Sequence, residues 1–134
     1  MRTQKLAPVG IPMAVTLYAA LLAVIGLYLG LVGLVDSTKA VGYQPGAEMI
    51  AGAWAGRTLG LALIMALAIW MRNAAAYALA FLGSACREFG DVVGALNAGL
   101  GGTLAVLLVF LLLDLVGLVL SARKVFQGPA PAPN

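Results

Sequence analysis

The 134-residue chain contains no histidine and a single cysteine, Cys86. Those shortages exclude a disulfide scaffold, a Cys/His zinc site, bis-histidine haem ligation and any dithiol redox motif. Charge is also scarce: Asp, Glu, Lys and Arg make up 10% of the chain, where about 25% is usual in a soluble domain. Eight basic and five acidic side chains are too few to coat a soluble globule of this length. The net charge of +3 is small and scattered, so a phosphate-tracking surface and a nucleic-acid partner are excluded too. The chain is instead 63% hydrophobic, against about 45–50% in an ordinary domain, with a mean hydropathy of +1.03. A cytosolic enzyme or a disordered segment does not have this composition. An integral membrane protein does.

Four apolar runs occupy residues 14–35, 49–70, 74–96 and 103–120. About 20 helical residues cross roughly 30 Å of hydrocarbon, and lipid offers no partner for an unpaired backbone amide. Each run is therefore expected to be a spanning helix, the fourth borrowing Gly102 and Ser121. The expected fold is all-α: a polytopic four-helix transmembrane bundle in one domain, 1–127, with helices at about 14–35, 49–70, 74–96 and 102–121. The first run exceeds the 7–15 or so residues of a signal-peptide core, so it is expected to be retained. Segment 36–48, the hairpin 71–73 and the glycine-rich turn 97–102 read as water-facing connections. The tail 128–134, GPAPAPN, reads as an extended, disordered Pro/Ala stretch. Residues 126–129 resemble part of a viral-protease tag site, so the tail takes no part in the functional reading.

The basic residues set the orientation. With four spans, Arg2, Lys5, Arg72, Arg123 and Lys124 share one side, and Lys39 stands on the other. The positive-inside rule then puts both termini in the cytoplasm of a multi-pass protein of the cell's inner (plasma) membrane. Tyr18, Trp70 and Tyr77 fall near the inner interface and Tyr28, Tyr43 and Trp54 near the outer one, as an aromatic belt requires.

Small residues recur at helical spacing. The second run carries Gly52, Gly56 and Gly60, the first Gly26, Gly30 and Gly33, and the third Gly90 and Gly94. Such stripes let backbones approach closely in lipid. They serve either packing within one bundle or, most readily for Gly52, Gly56 and Gly60, a homodimer seam.

Five ionisable residues interrupt the apolar runs: Arg57, Arg87, Glu88, Asp91 and Asp114. Depth counted along the helices puts all of them in the outer half of the bilayer, Asp114 near the midplane, about 16 Å from its helix end. On the third helix Ser84, Arg87, Glu88 and Asp91 share an arc of about 100°. Leu79, Leu82, Cys86, Phe89 and Val93 fall on the opposite arc and are expected to face lipid. Charges at membrane depth are costly and either pair or line a cavity. Two arginines against three carboxylates leave one carboxylate over, to be protonated, bound to a cation, or wet. Arg57, Arg87, Asp91 and Asp114 are the candidate catalytic residues, and Glu88 and Ser84 the candidate ligand-binding ones. A purely structural ion-pair network is the competing reading. Cys86 is expected to be inert, and Asp36 and Glu48, beside the outer loop, to be solvated or capping.

At Gly56-Arg57-Thr58-Leu59-Gly60-Leu61, Arg72 and Arg87-Glu88-Phe89-Gly90-Asp91, the chain resembles the small DoxX-like four-helix membrane proteins, a family mostly of unknown function. The resemblance runs over about residues 10–123 and implies the bundle and the cytoplasmic termini. Better-known members are linked to sulfur and quinone redox complexes, and the missing dithiol sets this chain apart from them.

The functional expectation is a polar intramembrane site for a lipophilic small molecule. If the protein is an enzyme, its chemistry is cofactor-independent acid–base work by an isomerase, cyclase or hydrolase: isomerisation, cyclisation or epoxide opening. Asp114 or Asp91 would be the proton donor, with an arginine steadying negative charge. No metal or cofactor motif is present. The alternatives are an accessory or assembly subunit of a larger membrane complex and a homodimeric proton-coupled small-molecule transporter.

Overall fold

A computed structural model describes residues 10–40 and 43–127. Among these, four long helices and one short 3-10 turn make up the regular structure, and there is no strand. The helices are α1 Met13–Val35, α2 Glu48–Met71, α3 Ala74–Asn97 and α4 Gly101–Phe126, with the 3-10 turn at Ser37–Lys39. Three of them, α1, α2 and α4, are long and apolar enough to cross a membrane; α3, which carries Arg87, Glu88 and Asp91, is not among the three. Arg2, Lys5 and the tail 128–134 lie outside the described residues. The helix bounds follow the apolar runs closely at three helices. At the fourth, the helix continues beyond the expected end through Ala122, Arg123 and Lys124 to Phe126. Arg123 and Lys124 favour helix although they are not apolar, and the next proline is Pro129.

The chain divides into two compact units, one spanning Met13–Trp70 with α1 and α2, the other holding α3 and α4. In the first unit the helices run antiparallel. Gly26 lies against Ala62, Gly30 against Leu59 and Gly33 against Ala55, and a Cβ built on these glycines would stand 2.8, 2.7 and 2.8 Å from the opposing side chains. The seam is thus closed to backbone distance, as the small-residue rule requires. It uses the glycines of α1 but not those of α2. On α2, Ala51, Ala55, Thr58 and Ala62 are buried and share one arc at 100° per residue, whereas Gly52, Gly56 and Gly60 are rotated away from it by about 100° or more. A Cβ on any of these three would meet no described atom within 4 Å.

The connection from α1 to α2 is held by its own polar groups. Asp36 caps the 3-10 turn, accepting from the Thr38 amide at 3.1 Å and the Thr38 hydroxyl at 2.6 Å. The Tyr43 hydroxyl donates to Glu48 at 2.8 Å, and the Gly46 amide to the same carboxylate oxygen at 3.2 Å. Asp36 thus caps the turn, as expected, while Glu48 ties the loop before α2 through Tyr43 and Gly46. The Thr38 hydroxyl bond, ahead of the contact with Lys39, holds the Asp36 carboxyl below its ordinary value of 3.8.

In the second unit Asn73 caps α3, accepting from the Ala75 amide at 2.8 Å. The helix ends in a Schellman turn: Leu100 N–H donates to Ala95 C=O and Gly99 N–H to Leu96 C=O, with Gly99 at φ 68°. Residues 98–100 then reverse the chain into α4. The two helices meet where Gly117 admits the ring of Phe81: a Cβ there would lie 2.7–2.8 Å from three ring carbons. Tyr77 and Phe81 stack along α3 with ring centroids 6.4 Å apart, and both are buried. Tyr77 is therefore part of the packed interior of this unit. By contrast with Gly99, the residue that ends α2 in the left-handed region is an arginine, Arg72, at φ 49°. A side chain there costs about 1–2 kcal/mol relative to glycine.

Candidate functional site

Helix α3 is sorted into two faces, as its sequence pattern predicts. Leu79, Leu82, Phe89 and Val93 are exposed, as is Cys86. On the opposite face Ser84 and Glu88 are buried, while Arg87 and Asp91 are partly covered, with side-chain exposures of 18% and 26%. Successive positions on this face bring opposite charges together. Arg87 makes an ion pair with the adjacent Glu88, and its Nε stands 3.9 Å from Asp91 Oδ2, one turn on. A single guanidinium thus lies between two carboxylates. Glu88 is 2% exposed and lies on the buried side of α3, which runs through Tyr77, Phe81, Ser84 and Glu88.

Helix α4 contributes a matching stripe. Its buried residues are Asp114, Gly117 and Ser121, which lie within an arc of about 60°. Asp114 is fully buried on a helix whose other faces are leucine and valine. The contact between Gly117 and Phe81 fixes the antiparallel register. Three residues toward the α3–α4 turn on both helices, Asp114 comes close to the level of Ser84; four residues the other way, Ser121 comes level with Tyr77. Glu88 is one turn, about 6 Å, beyond Ser84. So Ser84, Arg87, Glu88 and Asp114 occupy little more than one helical turn of depth in this unit, with Asp91 at its margin.

Arg57 stands on α2 in the other unit, exposed and one residue before the buried Thr58. Two buried hydroxyls were not singled out by sequence: Thr58 Oγ1 and Ser121 Oγ have no hydrogen-bond partner among the described residues. The available signal was their spacing, each in register with small residues at i−3 or i−4 on a buried arc. No cluster of three or more His, Cys, Asp or Glu side chains able to hold a metal ion occurs among the described residues.

Chemically, the arrangement offers two buried carboxyl groups on facing helices. Glu88 is tied to a guanidinium, and Asp114, fully buried, lies near the level of Ser84. Such a pair can hold a polar ligand group or exchange a proton with it. Compared with known protein families, with curated proteins and with solved structures, the chain finds no match.

Proposed function

We propose that this chain is a small polytopic membrane protein whose α3–α4 seam binds a lipophilic small molecule, or does acid–base chemistry on one, through Arg87, Glu88, Asp91 and Asp114. In this reading all four helices span the inner membrane, α3 included, and both termini are cytoplasmic, as in the DoxX-like proteins it resembles. The observation that carries the reading is the burial of Glu88 and Asp114 within about a turn of each other on facing helices, with Arg87 paired to the first. Buried carboxyls at membrane depth are expensive in lipid, and a purely structural pair would not require two levels of them. Asp114, or Asp91 at the margin, is the proton donor, and Arg87 steadies negative charge on the ligand.

The test is chemical extraction. Purified wild-type chain, Asp114→Asn, Glu88→Gln and Arg87→Gln are washed free of bulk lipid and their organic extracts compared by mass spectrometry. A non-bilayer apolar compound retained by wild type and depleted at least tenfold in the folded variants supports the site. Equal retention by all four proteins, or none in wild type, removes it.

A second reading concerns assembly. The open ground around Gly52, Gly56 and Gly60 suits a homodimer seam built on a G-x-x-x-G face. Gly56→Leu should then shift the detergent-solubilised protein from dimer to monomer in light scattering.

A further inference from the structure

The end of the α3–α4 hairpin that lies away from the Ala98–Leu100 turn concentrates positive charge. Lys124 and Ala74 are each seven residues from the Gly117–Phe81 contact, so they stand level; Arg123 is one residue deeper and Arg72 two residues before Ala74. The three cations thus share about 5 Å of depth, and all three are exposed. No acidic side chain balances them. The sequence has none between Glu48 and Glu88 and none after Asp114, which is ten residues, about 15 Å, back along α4. The C-termini of α2 and α4 supply about half a negative charge each, which leaves roughly two positive charges uncompensated. Phe126, at this end of α4, is 86% exposed, and Trp70, two residues before Arg72 in the sequence, is 80% exposed. Arg72 also holds a left-handed backbone position that α3 gives to glycine.

We propose that Arg72, Arg123 and Lys124 bind the phosphate of an anionic phospholipid headgroup. The inference goes beyond the ligand site above but rests on the same membrane-spanning reading. Charge complementarity fixes the phosphate. The flanks select a lipid over a free anion, because Val116, Val119 and Val125 on α4 and Leu79 on α3 offer exposed apolar surface beside which acyl chains can lie. The exposed Trp70 matches the headgroup level that Trp side chains occupy in a bilayer.

The experiment reconstitutes the full chain, carrying Trp54→Phe so that Trp70 reports alone, in phosphatidylcholine vesicles. Quenching of Trp70 by brominated phosphatidylglycerol is compared with quenching by brominated phosphatidylcholine. The expected result is a preference for phosphatidylglycerol of at least tenfold. Arg123→Gln, Lys124→Gln and Arg72→Gly should each lower it about fivefold, while Arg72→Lys retains it. Arg72→Gly should leave the melting temperature unchanged or raised, which separates loss of the headgroup contact from loss of the fold. Equal quenching by the two lipids, or a triple variant that keeps the preference, overturns the proposal. Abolition by millimolar inorganic phosphate overturns the lipid assignment in favour of a soluble anion. Quenching by neither lipid means that Trp70 is outside the bilayer, and then the membrane-spanning reading itself fails.

Discussion

Gly30→Ala tests a close contact between α1 and α2. A Cβ at position 30 would lie 2.7 Å from the Cβ of Leu59 and 2.8 Å from its Cα and backbone nitrogen. Carbon atoms pack best at about 3.5–4.0 Å, so the helices must part by roughly 0.7–1 Å. Backbone atoms cannot swing aside as a side-chain tip can. Overpacking of this kind costs about 1–3 kcal/mol, and the position falls toward the upper end. The same change gains about 1 kcal/mol in helix propensity. The net loss is about 2 kcal/mol, a roughly 30-fold fall in the folded-to-unfolded ratio. Gly52→Ala is the matched control, since it makes the same chemical change with open space around the new methyl group, and it should keep or slightly raise stability. Reversible unfolding in mixed micelles, followed by far-UV circular dichroism with increasing SDS fraction, measures both. If Gly30→Ala unfolds within about 0.5 kcal/mol of wild type, or Gly52→Ala loses as much as Gly30→Ala, the packing argument is wrong.

Two further outcomes follow from polar groups at opposite extremes of burial. Ser121→Ala removes a fully buried hydroxyl that has no hydrogen-bond partner among the described residues, so the same unfolding assay should show unchanged stability or a gain of up to about 1 kcal/mol; a clear loss would reveal a bond that the structure does not contain. The Asp36 carboxyl is held below 3.8, chiefly by the Thr38 hydroxyl. A depressed acid stabilises the folded state above its unfolded value and loses that contribution as pH falls through its folded one. The turn at Ser37–Lys39 should therefore loosen only below about pH 3.8, visible as faster exchange of the Thr38 amide, and Asp36→Asn should remove that pH dependence.

Much of this fold was legible because lipid-compatible helices must be both long and apolar. Run length alone located α1, α2 and α3 to within a residue or two. The end of α4 was not legible from hydropathy, since Arg123 and Lys124 are polar yet continue the helix. The two-faced sorting of α3 could be read from angle, because its polar and apolar residues segregate cleanly at 100° per residue. Which glycines would pack was harder. The sequence of α2 offers two small-residue faces, one of alanines and one of glycines, and only the partner helix decides between them. The burial of Tyr77 was not legible in the sequence: it lies one turn from Phe81, whose ring is received by Gly117 of α4, a contact that no local pattern announces.

The ring of Phe81, seated in the notch of Gly117, separates two polar levels of one seam: Ser84 and Asp114 on one side, Tyr77 and Ser121 on the other. A file of water molecules following this seam would be interrupted at that ring. A proton passing between the Asp114 level and the Ser121 level along the seam would have to go around that ring, a separation that neither helix alone could impose.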